Sequence, residues 1–253
     1  MLSLVLWWVG IFLEAAILFR ALRCRSIGRY PYFYAYVGCI LVVDLTRYLV
    51  YTYDPPAFRN WYWSTQFLSV AIGYGVIIEI LRQALARYLG AARFGGSILW
   101  TSFFSVLAYV TYKSATVTNW SAAATGAELE RDLRTVQAFA LAGILLLISH
   151  YRIEIGRNLK GMIAGYGAFI AVSVVNLAVQ AYAGPPLRVV SRDLQSYSFF
   201  IPLVIWIAAL WSYQPTPAAP PAGMLESDYA SLSRWTKRAL RAVRDSVPGK
   251  WNK

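Results

Sequence analysis

Asp44 and Arg47 stand three residues apart inside an apolar run. That spacing puts both side chains on one helix face, within pairing reach. Charge is costly in hydrocarbon, so an ionisable residue inside a membrane run is read first as functional. Two readings of the pair stay open: a local ion pair that ties its helix to its neighbours, or a contact with a ligand or ion. Arg47 is long enough to snorkel to the surface, whereas the shorter Asp44 needs a partner or a proton. Gln66, Gln137, Asn176 and Gln180 lie in the same half of their own apolar runs. Such amides commonly bond one helix to another. Gathered in one leaflet with an ion pair, they instead line an outward-facing polar cavity. On that reading Asp44, Arg47, Gln66, Asn176 and Gln180 form the expected ligand-binding set. Glu14 is the other intramembrane acid, read as a proton relay or as a partner for a base at the inner rim. The single histidine, His150, and the two cysteines, Cys24 and Cys39, supply neither a metal cluster nor a nucleophile–base pair. The expectation is therefore a protein that is not an enzyme and carries no metal or cofactor.

The elements that must hold these residues follow from composition. Of 253 residues, 58% are hydrophobic and 14% charged, against about half and a quarter in an ordinary soluble domain. Despite a net charge of +12, this balance excludes a soluble nucleic-acid binder and a disordered chain and places the protein in a bilayer. A hydrocarbon core of ~30 Å needs about 20 apolar residues per helix. Seven runs qualify: 2–19, 32–53, 61–81, 97–112, 135–151, 162–183 and 197–213, of which the fourth is the shortest. Asp54-Pro55-Pro56, Gly95-Gly96 and Gly184-Pro185-Pro186 read as turns between them. Tyr30, Tyr32, Tyr51, Tyr53, Trp61 and Trp63 cluster where lipid headgroups should lie. The first run lacks a basic leader and a cleavage site, so it reads as a span rather than a signal peptide. Of the 24 Lys and Arg residues, 17 fall in alternate links and the C-terminal tail. Basic residues mark the cytoplasmic side, so the N-terminus is expected outside and the C-terminus inside. The expected fold class is an all-α, polytopic seven-transmembrane-helix bundle in the cell membrane.

A gapless self-alignment that sets Arg20 on Arg152 and Arg25 on Arg157 lays spans one to three over spans five to seven. It also sets Tyr34 on Tyr166 and Asp44 on Asn176. The implied 3+1+3 duplicated layout resembles SWEET-type sugar transporters in layout only. Spans one and five lack the prolines expected in the first helix of each SWEET unit. Retinal needs a lysine in the last span and none is there; no Asp-Arg-Tyr closes span three and no Asn-Pro lies in span seven. Seven-helix topology by itself carries little about function.

The domain reading is 1–213 membrane bundle, 214–225 proline-rich linker and 226–253 basic amphipathic tail. Residues 122–133 form a separate short helical candidate within a long outer link, placed to lid the outer face. In the tail, Arg234, Trp235, Lys237, Arg238, Arg241 and Arg244 flank an apolar stripe at helical spacing. A basic helix with one apolar face lies on anionic inner-leaflet lipid, the partner expected here, with docking to a protein second and nucleic acid excluded. The leading functional expectation is a transporter of a small polar or anionic solute. The alternative is a receptor, sensor or accessory subunit acting through its tail, alone or in a homo- or hetero-oligomer.

Overall fold

A computed structural model describes residues 2–86, 88–116, 122–182 and 199–211, with 227, 229–231, 233–235, 238 and 241 of the tail. Among them the chain is helical and contains no strand. A backbone in lipid must satisfy its own polar groups, which a helix does within one segment. The helices are α1 (Leu2–Arg23), α2 (Pro31–Tyr53), α3 (Phe58–Ala84), α4 (Leu89–Thr116), α5 (Ala122–His150), α6 (Arg157–Tyr182) and α7 (Phe200–Leu210). Six are long and apolar enough to cross a membrane: Val5–Arg23, Pro31–Tyr53, Phe58–Ala84, Leu89–Lys113, Leu129–His150 and Arg157–Asn176. The described part of α7 is apolar but only 11 residues long, and the remainder of the seventh expected run lies largely outside the described residues.

Pairwise packing closes a circuit: α1 on α2, α2 on α3, α3 on α5, α5 on α6, α6 on α7, and α7 back on α1. α3 also touches α6 across the interior, and α4 packs on α3 and α5 from outside. Burial agrees. The spans of α3 and α6 are 61% and 56% buried, that of α4 only 17%. The aromatic-rich core runs from Phe33, Tyr36 and Val37 of α2 through Val76, Ile77 and Ile80 of α3 to Tyr166, Ile170 and Trp206.

Three sequence expectations change. The fourth span is not short, because Gly95-Gly96 lies inside α4 instead of breaking it. There, a Cβ at Gly95 would press on the Leu81 side chain, so the residue serves close approach to α3. Residues 122–133 are not a separate lid; they are the opening turns of α5, whose candidate span begins at Leu129. A proline inside the seventh run is expected to kink it, but Pro202 sits in the first turn of the described part of α7, a position that tolerates proline.

The ends of α1 and α5 are built alike. Arg25 (φ 51°) and Arg152 (φ 49°) take the left-handed conformation that usually calls for glycine. Ser26 N–H donates to Ala21 O and Arg25 N–H to Leu22 O; Ile153 N–H donates to Ile148 O and Arg152 N–H to Ser149 O. Each is a complete Schellman closure.

Candidate functional site: a buried polar seam

Thr65, Tyr62 and Gln66 occupy one face of α3, being three to four residues apart. Arg47 of α2 points onto that face. Its Nε donates to Thr65 Oγ1 (2.9 Å), and its Nη2 donates to Tyr62 O (3.2 Å) and Gln66 Oε1 (2.9 Å). The guanidinium also stacks 4.5 Å from the Tyr62 ring centroid, a cation–π contact that a point charge on a flexible stem would hold less well. Asp44 is half-buried and forms neither an ion pair nor a hydrogen bond with Arg47. The expected local ion pair is thus replaced by neutral acceptors on α3. The reason is geometric: the long arginine reaches across to the next helix, whereas the short aspartate stays at its own backbone.

The seam continues on α5. Gln66 Nε2 donates to Glu130 Oε1. Glu130 lies 3.7 Å from Arg134 Nε, one turn along. Arg134 Nη1 donates to Gln137 Oε1 (3.4 Å), and Gln137 Nε2 donates to Val70 O of α3 (3.0 Å). The Arg134 guanidinium lies 4.6 Å from the Phe169 ring of α6. One connected set of polar groups therefore joins α2, α3, α5 and α6. It is deeply enclosed: Arg134 is 1% exposed and Glu130 7%. Yet Arg134 Nε has no hydrogen-bond partner, only the longer ion-pair contact. Arg134 is thus a buried cation, ion-paired to Glu130, with one donor that makes no close hydrogen bond.

Further buried polar atoms lie beside the seam. The Tyr166 hydroxyl makes no close hydrogen bond but faces Arg134, and it rests against Gly73, where a Cβ would collide with it and approach the Gln137 amide. Tyr36, whose ring meets Tyr166 edge-on at 5.6 Å, likewise has an unpaired hydroxyl. Trp206 Nε1, against Gly165, and Ser173 Oγ and Asn176 Oδ1 of α6 are also unpaired. Glu14 of α1 is fully buried, with neither carboxyl oxygen hydrogen-bonded. An unpaired buried polar group costs about 1–3 kcal/mol, so a concentration of them marks a place where structure alone is not being optimised.

Of the expected site residues, the structure brings Arg47 and Gln66 together. Asn176 is buried on α6 but outside the hydrogen-bonded seam, and the Gln180 side chain lies outside the described residues. Glu14 faces the interior from α1, within Coulombic reach of Asp44. The tail residues Arg234, Trp235, Arg238 and Arg241 are helical and exposed, and Arg234 donates to Ala230 O; Lys237 and Arg244 lie outside the described residues. Sequence reasoning missed Thr65, Glu130, Arg134, Tyr36 and Tyr166. A signal existed for two of these: Glu130, Arg134 and Gln137 fall at i, i+4 and i+7, one helix face.

No family model matches this chain, and neither a curated protein nor a solved structure matches it.

Proposed function

We propose that the protein is a multi-pass transporter of a small polar or anionic solute in the cell membrane. The observation that carries this reading is Arg134: a fully enclosed guanidinium with an uncommitted N–H, flanked by Glu130 and Gln137 where α3, α5 and α6 meet. Such a donor can pair with a carboxylate, phosphate or similar oxyanion, which would compete with Glu130 for the guanidinium. In this reading α7 is the seventh span, the N-terminus is outside and the C-terminus inside. Two like-oriented units, α1–α3 and α5–α7, are linked by α4. The circuit of contacts supports it, because the two seams between units, α3 on α5 and α7 on α1, exchange under a two-fold relation. The matching caps of α1 and α5 support it too. The seams then differ usefully: the first carries Gln66–Glu130, the second Arg20 Nε donating to Trp211 O. Rocking about them would open the site to either side in turn.

Uptake by proteoliposomes offered a panel of labelled carboxylates, phosphate and amino acids tests the proposal. The wild-type chain is expected to accumulate at least one of them, the Arg134→Gln variant about tenfold less, and a chain ending at residue 223 as much as wild type. Loss of function on removing the tail, with Arg134→Gln unaffected, would favour a receptor or accessory subunit instead.

A further inference from the structure

A cleft of about 620 Å³ opens between the end of α3 and the start of α4, outside the six-helix circuit and apart from the buried seam. The short link after Ala84 folds α4 back along α3. The cleft changes character along its length. Arg82 and Gln83 stand near the end of α3 and Arg93 one turn into α4; Ile78 and Trp100 line the deeper part. Trp100 lies seven residues beyond Arg93, about 10 Å further along the axis of α4. Both arginines are exposed, and among the described residues neither forms an ion pair or hydrogen bond. Glu79 of α3 accepts the Phe33 N–H at 2.7 Å and acts on Arg82 only through a Coulombic interaction without an ion-pair contact.

Two uncommitted guanidinium groups at the end of two spans, above an apolar wall, match an amphiphile with an anionic head. Guanidinium forks fit phosphate oxygens bidentately, and basic pockets between membrane helices hold anionic headgroups. Free phosphate would use the arginines and leave the apolar wall unoccupied. We propose that the α3–α4 cleft binds an anionic phospholipid, its phosphate between Arg82 and Arg93 and an acyl chain along Ile78 and Trp100. The tail meets this cleft at its edge, since the Tyr229 ring lies against Gly90 beside Leu89. The site does not depend on the transport reading.

Native mass spectrometry of the full chain in detergent, titrated with phosphatidylglycerol and separately with phosphatidylcholine, tests the site. Wild type is expected to retain one phosphatidylglycerol preferentially. Arg82→Gln/Arg93→Gln should weaken that binding about thirtyfold, at roughly 1 kcal/mol per arginine near an anionic lipid. Arg23→Gln/Arg152→Gln, which removes equal charge from the ends of α1 and α5, should leave it intact. In liposomes, brominated phosphatidylglycerol should quench wild type more than Trp100→Phe, and that difference should vanish in the cleft variant. Equal binding by the cleft variant, equal loss in both double variants, or displacement of the lipid by millimolar inorganic phosphate would each overturn the assignment.

Discussion

Removing one member of a buried ion pair leaves the other charged and poorly solvated, which costs about 3–5 kcal/mol, whereas replacing both by apolar groups costs far less. Arg134→Leu is therefore expected to lower thermal stability in detergent well below that of Glu130→Leu/Arg134→Leu. A double variant no better than the single would show that the two groups are not energetically coupled. Arg47 behaves differently, because its partners are neutral and placed for a planar fork. Arg47→Lys should cost about 1–2 kcal/mol. Asp44→Asn should cost under about 0.5 kcal/mol, and an equal loss from both would restore the ion pair that the geometry lacks. Arg47 and Gln66 were legible in sequence because they interrupt apolar runs. Glu130 and Arg134 were not, because five charged residues between 128 and 134 read as solvated chain. The helix phase separates them. Glu130 and Arg134 turn inward, while Arg131 and Asp132 are less buried and meet each other at 3.3 Å.

At the level of elements, the apolar runs located six membrane helices but misjudged where two of them begin. Hydropathy averages over a window and so shortens any span whose first turns carry inward-facing polar residues, as α5 does, or consecutive glycines, as α4 does. Glycine here serves close approach of helices. Gly73→Ala would drive a Cβ into the Tyr166 hydroxyl, and overpacking of this kind typically costs 1–3 kcal/mol, that is about 1–3. Adding Tyr166→Phe should recover part of that loss in the melting temperature; no recovery would mean that the collision is relieved elsewhere. Cap chemistry was invisible to pattern reading, because arginine is not a residue expected at positive φ. Arg25→Gly and Arg152→Gly are each expected to stabilise the fold by about 1 kcal/mol, measured as a raised melting temperature.

For the whole molecule, the asymmetry of basic residues carries the proposed orientation, and nothing in packing alone fixes which face is outside. Cys24, exposed in the link between α1 and α2, is a native reporter. An impermeant maleimide should label it only after cells are permeabilised, while Asp54→Cys in a Cys24→Ser background should label in intact cells. The reverse pattern would invert the bundle. The duplicated layout stays a proposal that the circuit of helix contacts permits. The proposed solute site is the seam around Arg134. Its most direct test is the melting temperature of the purified protein across a panel of small anionic and zwitterionic solutes. A solute binding the folded protein at a hundred times its Kd stabilises by about 2.7 kcal/mol, which raises Tm by several degrees. Such a rise is expected for at least one solute in the wild type and none for that solute in Arg134→Gln. An equal rise in both proteins would contradict it.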